Sequence, residues 1–190
     1  MKKVLQVVHD VRILGVMNLR DIYKPLAFTS QISVSLDYIQ DELENHNTDL
    51  APAYQRGSVW TRAQQEAFMG HLLQGGEVLP LTFHRVPDSA HAEVLDGKQR
   101  LEAILAWLRG EVGARLDSSR VPVFIEDLEK RPNGEPVGLA RIYLTFRYVN
   151  LPWKARVAYY VRLNSAGTPH TPEQIAAALA VAGEEPARKK

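Results

Sequence analysis

Val94-Leu95-Asp96-Gly97-Lys98-Gln99-Arg100-Leu101-Glu102-Ala103-Ile104 is where the apolar pattern changes period. A β-rich run, His91 to Leu95, ends in an Asp-Gly turn. Leu101, Ile104, Leu105 and Leu108 then recur at i, i+3, i+4 and i+7, an amphipathic helix that Gly110 closes. A strand feeding straight into a helix points to an α/β (α+β) domain. Upstream, Val78 to Val86 is a second β-rich run, and Pro87-Asp88-Ser89-Ala90 between the two reads as a hairpin turn. Thr61 and Gln64 form a capping box for a helix that Gly75-Gly76 stops, with Ala67, Phe68 and Leu72 as its core face and Met69 and Leu73 on the flank. Earlier still, Ile32, Leu36, Ile39 and Leu43 share a helical face over residues 31–46, and Leu50 to Tyr54 is expected to be extended around Pro52. Downstream the pattern predicts a short strand from Val121 to Ile125 and a turn at Arg131-Pro132-Asn133-Gly134. A strand follows on the alternation Ile142, Leu144, Phe146, Tyr148, then helices over 153–164 and 172–182, the last opened by Thr171-Pro172-Glu173-Gln174. Residues 4–28 show no clean period and read as a strand plus irregular chain. The expected organisation is an extension over 1–30, one domain over 31–182 with a small sheet and about five helices, and a charged tail over 183–190.

The 190 residues, 45% apolar and 24% charged, suit one globular domain of 21.3 kDa. Lys plus Arg (23) against Asp plus Glu (22) leaves +1, which excludes nucleic-acid binding by bulk positive charge but not a local basic groove. Absence of Cys removes disulfides, thiolate metal sites and cysteine nucleophiles. Lys2 and Lys3 precede an apolar stretch as in a signal peptide, but His9, Asp10 and Arg12 interrupt it at once. No window approaches 18 apolar residues, so a cytoplasmic protein with no membrane partner is expected.

Three stretches carry chemistry. At Asp96-Gly97-Lys98-Gln99-Arg100, a helix N-terminus offers backbone N–H groups to an anion, and Lys98 and Arg100 add charged donors. Cations in a first turn oppose the helix dipole, which a bound phosphate would offset; alternatively Asp96 caps the helix and the cations are solvated. In Tyr54-Gln55-Arg56-Gly57-Ser58-Val59-Trp60, an amide and a guanidinium precede an aromatic ring that could meet a base, or Trp60 is a hydrophobic staple and Arg56 a surface ion pair. In Leu163-Asn164-Ser165-Ala166-Gly167-Thr168-Pro169, Asn164 is either a ligand-facing amide or simply the end of a helix. His84 and His91 flank the hairpin turn, but two histidines with no placed carboxylate make a poor metal site. Gly75-Gly76 is a helix stop and not a phosphate loop, since no Gly-Lys-Ser/Thr follows.

Gln55-Arg56-x-x-Val59-Trp60, Leu95-Asp96-Gly97-Lys98-Gln99-Arg100-Leu101 and Leu163-Asn164-x-x-Gly167-Thr168-Pro169, in that order, resemble the DGQQR domain. That domain is the N-terminal half of GmrSD-type modified-DNA restriction enzymes, in the ParB/sulfiredoxin-like superfamily. The resemblance covers roughly residues 30–182. It implies a small mixed sheet among helices that binds, and in several members hydrolyses, a nucleoside triphosphate. Gln55, Arg56, Trp60, Gly97, Lys98, Gln99, Arg100 and Asn164 would then contact the nucleotide. Asp96, Gln99, Arg100 and Arg56 would be the catalytic set, with Asp96 holding Mg²⁺ or orienting a water. Lys98 stands where the commonest form has Gln, keeping a donor but losing the amide acceptor, and His170 stands where an apolar residue is usual. No His-rich nuclease motif follows Thr171, so a form without the HNH nuclease domain is expected. The expected partners are a nucleoside triphosphate, together with DNA or a separate nuclease subunit, and a homo-oligomer stays open. The rivals are a ParB-like DNA-binding or DNA-nicking module and a non-catalytic interaction protein of a phage or defence locus.

Overall fold

Gln31-Ile32-Ser33-Val34-Ser35-Leu36 satisfies two periods at once, helical through Ile32 and Leu36 and extended through strict polar–apolar alternation. A computed structural model, which describes residues 28–55, 57–86, 89–119, 121–164 and 172–183, resolves the conflict in favour of the strand. Strand β1 (Phe28–Ser35) pairs antiparallel with β4 (Tyr143–Val149), setting Ile32 opposite Phe146 and Val34 opposite Leu144. Helix α1 (Ile39–Asn45) starts only after a 3-10 turn, so the helix expected over 31–46 is wrong for residues 31–35. The β-branched and Ser-rich composition and the apolar partner strand decide it. β1 also takes in residues 28–30 of the segment read as an N-terminal extension.

The remaining elements are α2 (Arg62–Leu73), β2 (Leu81–Arg85), β3 (Ala92–Asp96), α3 (Lys98–Leu108), α4 (Trp153–Asn164) and α5 (Pro172–Ala182). The strands lie in the order β1-β4-β2-β3, with β4 and β2 parallel and the other pairs antiparallel. Among the described residues this is a four-stranded mixed sheet with five α-helices, the α/β (α+β) class that the strand-to-helix junction implies. One face packs Val34, Phe83, Val94, Leu144 and Phe146 against Ile39, Met69, Leu72, Leu101, Ile104 and Trp107 of α1 to α3. The other buries Leu95 and Val149 under Trp153, Val157 and Tyr160 of α4 and Ala178 of α5.

α2 has the expected capping box, and its end is a Schellman turn: Gly75 sits at φ +81°, with Gly75 N–H bonded to Leu72 O and Gly76 N–H to His71 O. Its inner face differs from the expectation, since Met69 is fully buried and Ala67 exposed. Glu66 sets that face. Its carboxylate accepts from Arg62 Nε at 3.1 Å and from an Arg115 amino group at 2.8 Å. Burial pushes the Glu66 carboxyl up, but those bonds outweigh it and hold the group below the usual carboxylate range.

Trp107 on α3, which the periodicity did not single out, is fully buried and donates its indole N–H to Val123 O at 3.1 Å. The strand expected over 121–125 reduces to one bridge, Val123 with Ala114, followed by a 3-10 turn at Ile125–Asp127. Pro122 has no N–H to extend the ladder. Residues 50–54 are likewise not extended. Asp49 Oδ1 takes the Ala51 N–H at 2.8 Å, and a turn closes with Gln55 N–H on Pro52 O at 2.8 Å. The turn at Arg131–Gly134 forms as expected. The readings of residues 4–27, of Pro87-Asp88 and of 184–190 lie outside the described residues. No helix among the described residues is long and apolar enough to cross a membrane.

His84 gives a pH prediction. It is buried on β2, and its Nδ1 accepts the Leu151 N–H at 3.1 Å. Burial foremost, then the Arg156 charge, push its pKa down from 6.5 to about 4. Above pH 6.5 the imidazole is neutral folded or unfolded and costs nothing. As pH falls from 6.5 towards 4 the unfolded chain takes the proton first, so stability is lost, by about 2 to 3 kcal/mol at pH 4.5. Urea melts at pH 7.5 and 4.5 should show this loss, and His84→Asn, less stable overall, should lack this part of the pH dependence.

Candidate functional site

The site begins with a slip in strand register. Phe83 pairs with Val94 but Thr82 pairs with Asp96, so Leu95 is the extra residue of a β-bulge at the end of β3. Bulges re-aim side chains, and this one carries Asp96 past the hydrophobic pairing. Gly97 then turns the chain at φ +92° and ψ 11° and is itself the N-cap of α3, with no side chain capping the helix. Of the two readings of Asp96, capping is therefore not its role. A Cβ on Gly97 would run into Leu81 Cδ2, with an Arg100 amino group at 3.1 Å, so only glycine fits. The first helical bond is Leu101 N–H to Gly97 O at 2.9 Å, which leaves the first-turn N–H groups, Gln99 and Arg100 among them, without intrahelical acceptors.

The two cations of the turn have acids one turn away. Arg100 folds back, donating to Asp96 Oδ2 at 2.9 Å and to the Leu79 carbonyl, and its side chain is 16% exposed against 34% for Asp96. Lys98 Nζ lies 4.0 Å from Glu102 Oε1. Gln99 faces the other way. Its amide oxygen accepts both Val59 N–H at 2.8 Å and Trp60 N–H at 2.9 Å. Ser58 Oγ donates to Glu102, and Gln55 Nε2 donates to Val94 O at 2.6 Å, standing in for a ladder donor on the outer edge of β3. The 55–60 segment is thus laced to the DGKQR turn. The Trp60 ring packs on Phe68 of α2 at 5.4 Å, a staple-like contact that leaves it walling this region.

The fold therefore brings Gln55, Trp60, Asp96, Gly97, Lys98, Gln99 and Arg100 into one neighbourhood. Arg56, the side chain of Asn164 and residues 165–171, His170 included, lie outside the described residues. His84 and His91 do not pair: His84 is buried against Leu151, and His91 Nδ1 donates to Asn47 O at 2.9 Å. Among the described residues no three His, Asp or Glu side chains cluster as metal ligands.

Sequence reasoning missed the group that joins the three motif-bearing segments. An amino group of Arg156, on the α4 helix that ends at Asn164, donates to both Glu93 oxygens at 2.8 and 2.9 Å. The Tyr54 hydroxyl, one residue before Gln55, donates to the same carboxylate at 3.2 Å. Burial and the Glu93 charge raise the Tyr54 phenol, keeping it protonated, and the Arg156 guanidinium lies 5.1 Å over the Trp153 ring. The partners are 39 and 63 residues apart, so no local spacing announces them. A charged residue inside the apolar β3 run was the one hint.

The described residues form an α/β domain in which a glycine-initiated helix follows a bulged strand. A family model described as the GmrSD restriction endonuclease, N-terminal domain, matches residues 37–180, and the chain belongs to that family. No curated protein and no solved structure was found to match the chain.

Proposed function

We propose that the chain binds a nucleoside triphosphate at the Gly97–Arg100 turn and serves as the nucleotide-dependent part of a DNA restriction or defence system. The observation that carries this reading is the uncapped N-terminus of α3, with first-turn N–H groups beside a part-exposed Asp96. Phosphate oxygens suit that end of a helix, through the N–H groups and the helix dipole together. Gln99 has its oxygen committed to Val59 and Trp60, so its NH₂ end is the part offered to a ligand and its role is to hold the 55–60 segment in place. Trp60 would wall the base, Gln55 and Arg56 would approach from the same segment, and the Asn164 amide would come from the end of α4. Mg²⁺ is commonly held by one or two carboxylates together with substrate phosphates. One part-exposed carboxylate, Asp96, next to the phosphate position fits that pattern. Such an ion would neutralise phosphate charge, while Arg56 and Arg100 would meet negative charge developing on a transferred phosphoryl group.

A thermal-shift screen of ATP, GTP, CTP and UTP with Mg²⁺ tests the proposal. At a hundredfold excess over Kd, binding adds about 2.7 kcal/mol, which in a domain of this size raises Tm by roughly 5 to 10 °C. One nucleotide is expected to give such a shift, with phosphate release that needs Mg²⁺ and Asp96. No shift with any of the four, alongside salt-sensitive binding to DNA, would move the function to the nucleic acid.

A further inference from the structure

The bulge that displaces Asp96 also completes a line of side chains across the sheet. Asp96 pairs with Thr82, Thr82 with Arg147, and Arg147 with Gln31, one register row through β3, β2, β4 and β1. Arg147 alternates with Phe146 and Tyr148, whose rings fill the opposite, apolar face, so it lies on the face that α4 covers. Tyr159 of α4 is buried over this row. Its hydroxyl lies near the Thr82 side chain and within reach of the charges of Asp96, Arg147 and Arg162. Burial raises the phenol above its usual range, so the proton stays on.

Arg147 is half-buried on a central strand, and among the described residues it has neither an ion pair nor a side-chain hydrogen bond. Asp96, the one acid in the row, is already taken by Arg100. A half-buried arginine with no carboxylate of the described residues beside it is a ready counterpart for a ligand phosphate. Two strand spacings, roughly 10 Å, separate the Arg147 and Asp96 backbones, a gap that an extended arginine side chain largely closes. We infer that Arg147 and the Tyr159 hydroxyl form a second phosphate-binding point, which holds the polyphosphate of the ligand whose other end lies at the DGKQR turn. This rests on the nucleotide-binding reading above.

Isothermal titration with Mg²⁺, using inorganic tripolyphosphate and whichever nucleoside triphosphate stabilises the protein, tests it. Arg147→Gln is expected to weaken both by roughly tenfold or more, with Tm within about 2 °C of the parent and affinity for the matching monophosphate unchanged. Arg147→Lys should recover part of the loss, and Tyr159→Phe, which keeps the ring in its packing, should weaken both ligands several-fold. Equal triphosphate affinity in the parent and Arg147→Gln overturns this inference and leaves the nucleotide reading standing. A parent protein that binds neither tripolyphosphate nor any nucleotide overturns both.

Discussion

Glu93→Ala is expected to cost about 3 to 5 kcal/mol of stability, because it strands a buried guanidinium. The Arg156 side chain is 12% exposed and that of Glu93 16%, and one Arg156 amino group spends itself on the two Glu93 oxygens. Among the described residues the buried Arg156 Nε has no hydrogen-bond partner, so removing the carboxylate leaves this side chain with little compensation beyond the Trp153 ring. The buried Tyr54 hydroxyl loses its acceptor too. Guanidinium denaturation measures the loss. Glu93→Gln, which keeps an acceptor, should cost less, and Glu93→Leu with Arg156→Met should be less destabilising than either single change, since the desolvation cost of both charges disappears together. If Glu93→Ala melts within 1 kcal/mol of the parent, the pair is not the clamp that joins the three segments.

Gly97→Val should cost a comparable amount, about 2 to 6 kcal/mol, from two sources. A β-branched residue held at φ +92° is strained by roughly 1 to 3 kcal/mol, and its Cβ is driven into Leu81 and Arg100, an overpacking of similar size. Gly75→Val is the internal control. Gly75 has φ +81° but open space around it, so that change reports the strain alone. The difference between the two measures how tightly the turn is packed. Triphosphate binding should fall with Gly97→Val and persist with Gly75→Val.

Where a local pattern had one solution, the sequence led to the right element. The hairpin β2–β3, the capping box at Thr61 and the helix after Gly97 each depend on neighbours within four residues, and the structure contains them. β1 was misread because Ile32, Leu36, Ile39 and Leu43 fit a helix as well as Ile32, Val34 and Leu36 fit a strand, and the deciding partner, β4, is more than a hundred residues away. The candidate site divides in the same way. The DGKQR turn was legible as a strand-to-helix junction with cations at its start. Three features were not: Gln99 gripping the Val59 and Trp60 amides, Arg100 folding onto Asp96 and Leu79, and the bulge that aligns Asp96 with Thr82 and Arg147. The Gln99 bonds, the Arg100 bond to Leu79 and the bulge alignment are contacts across the fold, whereas the Arg100–Asp96 pair, four residues apart, lay within local spacing. Trp107 was passed over because the acceptor of its indole N–H, Val123, lies sixteen residues away.

The most direct test of nucleotide binding at the turn is amide hydrogen exchange, residue by residue, with and without the stabilising triphosphate and Mg²⁺. Bound phosphate should give the first-turn N–H groups of α3 the acceptors they lack inside the helix, so exchange at Gln99 and Arg100 is expected to slow by roughly tenfold or more while the amides at the start of α2 stay unchanged. Unchanged exchange at Gln99 and Arg100 in protein saturated with nucleotide would contradict this and place the ligand elsewhere on the domain.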